Sequence, residues 1–154
     1  MTVITEKKDF LKTPGTKPID SSSRGKFCLV VEDNAANFFL VARLLENMGI
    51  HSEWKSSGYE VAEYAETLEN IDFIFMDIML PYEDGFAAMR KIRQDHAFDA
   101  IPIIAVTALA TEEEKNKAIL AGFNGFLGKP LDPDEFPKQI KKILDHKPVW
   151  DLNK

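Results

Sequence analysis

From Lys26 onward the chain alternates between short, continuously apolar runs and longer stretches with helical spacing. Phe27-Cys28-Leu29-Val30-Val31 has the length and unbroken apolarity of a strand covered on both faces. Val41, Leu44, Leu45 and Met48 then recur at helical spacing, with Gly49 placed as a C-cap. Ile50 to Trp54 reads as a weaker strand, and Tyr59 to Leu68 as a helix. Ile71 to Met76 is a second buried-strand run that stops at Asp77. A loop containing Pro81 and Gly85 leads to a helix carrying Phe86, Met89 and Ile92. Ile101 to Val106 is a fourth strand, and Thr111 with Glu114 forms a capping box that opens a helix closed by Gly122. Phe123 to Leu127 is a fifth strand. Phe136, Ile140, Ile143 and Leu144 line one face of a last helix, whose Pro137 is tolerated if Asp134 is the N-cap.

Five strands alternating with five helices predict an α/β fold, a five-stranded parallel doubly wound sheet. The folded domain is expected over residues 26–146. Residues 1–25, rich in Ser, Pro and Thr and without period, read as a flexible N-terminal leader, and 147–154 as a short C-terminal tail. In that tail Trp150 is expected to fold back on the domain.

Composition narrows the classes. The 154 residues suit one domain. Nineteen Lys and Arg against twenty-five Asp and Glu give a net charge of −6, which disfavours direct nucleic-acid binding through bulk charge. The single Cys28 excludes a disulfide framework and fits a reducing compartment. No apolar run approaches the roughly 18 residues of a membrane span, and no signal-peptide core is present. A soluble, cytoplasmic domain is the expectation. His51, His96 and His146 share no helical face, so zinc is not supported.

Doubly wound sheets bind ligands beyond the carboxyl ends of their strands. At those ends stand Glu32 and Asp33, Asp77, Thr107, and Lys129 followed by Pro130. Three carboxylates at one rim repel one another unless a cation intervenes, and an oxygen-only set of this kind suits Mg²⁺. A hydroxyl and an ammonium beside them suit a phosphoryl group. The most central carboxylate, Asp77, is the expected nucleophile of an aspartyl-phosphate. Taken singly, each residue is ordinary: a solvated turn acid, a helix cap, a strand-end hydroxyl, a surface lysine. The reading rests on their combination.

The combination resembles the receiver domains of two-component response regulators. The matching text is Val30-Val31-Glu32-Asp33-Asn34, Phe75-Met76-Asp77-Ile78-Met79-Leu80-Pro81, Asp84-Gly85, Thr107-Ala108 and Lys129-Pro130. Intervals of 44 residues from Asp33 to Asp77, 30 to Thr107 and 22 to Lys129 are those of chemotaxis-type receivers. The resemblance implies a flavodoxin-like (βα)5 fold of strand order 2-1-3-4-5. It implies that Asp77 accepts a phosphoryl group from a phosphohistidine of a sensor histidine kinase or histidine phosphotransfer protein, so that the domain is not an enzyme on external substrates. Asp33, Asp77 and the backbone carbonyl of Met79 would ligate Mg²⁺, with Glu32 holding a metal-bound water. Lys129 and Thr107 would bind the phosphoryl oxygens. Phe126 takes the position of the switch aromatic, coupling Thr107 to a partner-binding face made by the fourth helix, fifth strand and fifth helix. Pro130 stands where the family often has a cis peptide bond. Met79 and Leu109, both apolar, flank the path of the hydrolytic water, which implies a long-lived phosphoryl group.

Two other classes were weighed. An aspartate-nucleophile phosphatase usually has a second acid two residues after the nucleophile, where this chain has Met79. A nucleotide- or flavin-binding module needs a glycine-rich loop after the first strand, where this chain has Glu32-Asp33-Asn34-Ala35-Ala36. Within the receiver reading, a stand-alone regulator and a receiver belonging to a hybrid histidine kinase or larger regulator stay open.

Overall fold

The computed structural model describes residues 25–80 and 84–152. All but Gly25 of the expected leader, and Pro81 of the expected loop, lie outside them. The elements are β1 (Phe27–Val31), α1 (Ala35–Glu46), β2 (His51–Lys55), α2 (Val61–Glu66), β3 (Phe73–Met76) and α3 (Gly85–Arg93). A 3₁₀ turn at His96–Phe98 precedes β4 (Ile103–Thr107), α4 (Glu112–Ala121), β5 (Gly125–Gly128), α5 (Phe136–Leu144) and β6 (Val149–Asp151). All strands pair in parallel, in the order β2-β1-β3-β4-β5-β6.

The expected architecture and its strand order stand, with one addition. The tail is not free of structure: Val149 to Asp151 forms a sixth strand on β5. Trp150 does fold back, half-buried against the domain. Two local expectations change. Gly85 opens α3 instead of lying in the loop before it. The cap of α5 is Glu135, not Asp134, which puts Pro137 at the second helical position, where its missing N–H costs no intrahelical bond. Asp134 instead donates its backbone N–H to Asp132 Oδ1 at 2.9 Å, inside the turn that precedes the helix.

Strand side chains alternate between two cores, as a pleat with both faces covered requires. Cys28, Val30, Phe73, Phe75, Ile104, Val106 and Leu127 meet α1 and α5 on one face. Leu29, Val31, Ile74, Met76, Ile103, Ala105 and Phe126 meet α2, α3 and α4 on the other. Burial pushes the Cys28 thiol well above its ordinary pKa, so it packs as an inert apolar group. The capping residues act as their types dictate. Asn34 Oδ1 accepts the Asn37 N–H at 2.9 Å, and Thr111 Oγ1 accepts the Glu114 N–H at 3.1 Å. Among the described residues, no helix is long and apolar enough to cross a membrane.

Candidate functional site at the carboxyl rim of the sheet

The sheet hydrogen bonding continues one step past the strands at the rim. Glu32 N–H donates to the Lys55 carbonyl at 3.0 Å, Asp77 N–H to Val31 at 3.0 Å, and Lys129 N–H to Thr107 at 2.8 Å. The backbones bearing three of the candidate side chains are therefore fixed by the sheet itself. The Trp54 indole adds a further anchor by donating to the Glu32 carbonyl at 2.6 Å. Glu32, Asp77 and Thr107 are buried, while Asp33 is exposed.

Sequence reasoning placed Glu32, Asp33, Asp77 and Lys129 together, and the fold brings them together. One carboxylate oxygen from each of Glu32, Asp33 and Asp77 lies within 4.8 Å of the others. Lys129 Nζ donates to Asp77 Oδ2 at 2.9 Å and also to Glu32 Oε1. The other oxygens are held by main chain: Asp77 Oδ1 accepts the Met79 N–H at 2.9 Å, and Glu32 Oε2 accepts the Asn34 N–H at 3.2 Å. Burial pushes the Glu32 carboxyl up from its ordinary value, against the pull of Lys129 and the Asn34 N–H. Burial also works against the Lys129 charge, but Glu32 and Asp77 outweigh it and hold the ammonium above its ordinary value. The ammonium of Lys129 thus pairs with two of the three clustered carboxylates, and the rim retains an excess of negative charge.

Thr107 pairs in register with Gly128, and its Oγ1 accepts the Leu109 N–H at 3.1 Å. Phe126 is fully buried, opposite Ala105 in the ladder, and shares a core with Ala118 and Phe123. The Lys129–Pro130 peptide is cis. Met79 and Leu109 are 59% and 43% exposed on the loops beside Asp77 and Thr107.

Two supporting residues escaped the sequence reading of the site. Trp54 closes a predicted strand, and nothing local signals that its indole reaches the Glu32 carbonyl just past β1. Gly85 was noted within a motif but without a structural reason. A Cβ there would lie 2.7 Å from Ile78 Cα and 2.8 Å from the Asp77 carbonyl. Glycine therefore lets α3 start directly against the backbone that carries Asp77, while Asp84 Oδ1 caps the helix through the Ala87 N–H at 2.8 Å.

This geometry has known counterparts. The receiver domain of the sensor histidine kinase PA1611 from Pseudomonas aeruginosa, solved with magnesium coordinated in its active site cleft, is 31% identical, with a TM-score of 0.71 over 79% of this chain and 98% of that one. The receiver domain of Ssk1 from Saccharomyces cerevisiae, solved with the histidine phosphotransfer protein Ypd1, is 27% identical with a TM-score of 0.69, over 77% of this chain and 88% of that one. Among curated relatives, the histidine kinase BarA of Escherichia coli is 37% identical over 75% of this chain, and the osmosensing kinase SLN1 of Saccharomyces cerevisiae is 35% identical over 85%. The chain spans only about a ninth of those kinases' lengths, 12% and 11%. The family model of the response regulator receiver domain matches residues 28–141, from β1 into α5. With that span and this rim, the chain belongs to the response regulator receiver domains of two-component signalling.

Proposed function

We propose that Asp77 is the phosphoacceptor of this receiver and takes its phosphoryl group from a phosphohistidine on a histidine kinase or histidine phosphotransfer protein. The observation that carries this reading is Lys129 bridging Glu32 and Asp77 beside an under-neutralised acid cluster. An Asp77 carboxylate oxygen forms a new O–P bond as the donor's N–P bond breaks, and the released imidazole nitrogen takes up a proton. Lys129 exchanges its contact with Asp77 for a phosphoryl oxygen, and Thr107 turns its hydroxyl from the Leu109 N–H toward the same group. Phe126, packed behind Thr107, transmits that movement to the face made by α4, β5 and α5.

The clustered carboxylates of Glu32, Asp33 and Asp77 are an oxygen-only set that fits Mg²⁺; Asp33, Asp77 and the Met79 carbonyl would hold the ion, with Glu32 holding a coordinated water. When bound, the ion neutralises the carboxylates and the incoming phosphoryl oxygens. Met79 offers no proton, which argues for a signalling acceptor over a phosphatase acting on external esters. A cytoplasmic, reducing compartment suits the lone thiol. Relatives that are histidine kinases, two of them hybrid signal transduction histidine kinases of Dictyostelium discoideum, favour a receiver of that kind, relaying its phosphoryl group onward, over a free-standing regulator.

Incubation with acetyl phosphate and Mg²⁺ should add one phosphoryl group by intact-mass spectrometry, and Asp77→Asn should prevent it. Normal labelling of the Asn variant would remove Asp77 from the role.

A further inference from the structure

β6 lies beyond the stretch that matches the receiver family, which ends at residue 141. Without it β5 would be the edge strand of the sheet. The pairing is short, with Gly125, Phe126 and Leu127 opposite Val149, Trp150 and Asp151. Val149 is buried in the core shared with α1 and α5, whereas Trp150 and Leu152 pack against the opposite core, the one that holds Phe126. Asp151 Oδ2 accepts the Gln139 amide N–H at 2.8 Å, while Gln139 Oε1 is buried without a partner. The segment is seated on both faces of the sheet yet tied by few bonds.

The two glycines that bound β5 explain how it fits. A Cβ at Gly125 would lie 2.8 Å from the Val149 carbonyl oxygen, and one at Gly128 would lie 2.7 Å from that of Leu152. Neither glycine has a positive φ, so the requirement comes from the approach of the 149–152 backbone. At Gly128 a second neighbour stands equally close: Ala110 Cβ, also at 2.7 Å. Ala110 is three residues past Thr107, on the loop into α4. The backbone of Leu152 and the loop carrying Thr107 therefore meet over the same glycine, itself paired with Thr107.

We propose that residues 149–152 form a releasable strap on the β5 edge, closed while Asp77 is free and loosened when Asp77 is loaded. The inference rests on the phosphoacceptor reading above. Drawing Thr107 toward a phosphoryl group pulls Ala110 from its place over Gly128 and takes away the packing on which the Leu152 end rests. A three-residue edge strand sits at the low-stability end of a domain, so a small packing change shifts its opening. Release bares the N–H and C=O groups of β5 that now face β6.

Hydrogen exchange with beryllium fluoride and Mg²⁺, a stable mimic of the bound phosphoryl group, tests this directly. In the full chain, exchange across 147–152 should rise about tenfold or more, with β1 unchanged and no response in Asp77→Asn. Linkage supplies a second test. A chain with Val149→Ala and Trp150→Ala should bind beryllium fluoride about fivefold more tightly by ¹⁹F NMR, and Trp150→Phe alone should stay near wild type. Should the double variant lose its fold, the wild-type exchange decides alone. Beryllium fluoride bound with the strap still protected overturns the strap and leaves the phosphoacceptor reading standing. Absence of binding in wild type overturns both.

Discussion

The helices on the two faces of the sheet are anchored to different depths. On one, α5 inserts Phe136, Ile140 and Ile143, and α1 inserts Phe38, Val41 and Leu45, into a core rich in aromatic rings. Phe75 stands edge-on to both Phe73 and Phe136, at centroid distances of 5.2 and 6.0 Å. On the other face α4 buries only Ala118, while Ile119 and Leu120 are 46% and 88% exposed. The lightly anchored helix is the one that follows Thr107, next to Phe126. Helices α1 and α5 are each held by three large buried side chains, whereas α4 rests on one buried methyl group. Close packing admits few alternative arrangements, so a switch needs a region where little contact is lost on moving.

The largest effect should come from emptying the core beneath α5. Phe136→Ala should lower unfolding free energy by about 3–5 kcal/mol in urea or guanidinium titrations, because the neighbouring rings cannot close the cavity. A loss under about 1 kcal/mol would mean that the aromatic core is not the stabilising half.

A change at the rim beside α4 should act on chemistry and leave stability nearly unchanged. Met79 and Leu109 stand exposed on the loops beside Asp77 and Thr107, and neither can orient a water by hydrogen bonding. Met79→Asn with Leu109→Glu should shorten the aspartyl-phosphate lifetime about tenfold, equivalent to about 1.4 kcal/mol in the hydrolysis barrier. Loss of label followed by mass spectrometry reads it directly. An unaltered lifetime would place the control of that water elsewhere.

Ala118→Gly should have the smallest effect, about 1 kcal/mol, chiefly from the added freedom of glycine in a helix. Its hydrogen exchange should quicken within α4 and leave α5 as before. Equal quickening in both helices would erase the contrast between α4 and α5.

Much of this was legible in one dimension. A strand covered on both faces must be apolar throughout, so β1, β3 and β4 stood out, and the residue just after each run had to lie at the rim. Glu32, Asp33, Asp77, Thr107 and Lys129 could be assembled on that ground alone, because parallel strands all end on one side. Boundaries slipped by one or two residues where half-buried or buried apolar positions such as Ile71, Ile101 and Phe123 flank a strand without pairing in it, since burial and pairing leave the same apolar mark.

Features made by approach across the sheet were hidden. Val149-Trp150-Asp151 is too short to show a period, and it becomes a strand only because α5 returns it beside an unpaired edge. The need for glycine at 85, 125 and 128 depends on backbones distant in sequence or on the angle at which α3 enters. Trp54 finds the Glu32 carbonyl only once β2 lies against β1. The sequence by itself determined the two-sided sheet and the chemistry at its rim, because burial and charge are written residue by residue. The tertiary structure alone decided how the lysine divides itself between two acids and which segment closes the β5 edge, because both depend on distances that no local pattern encodes.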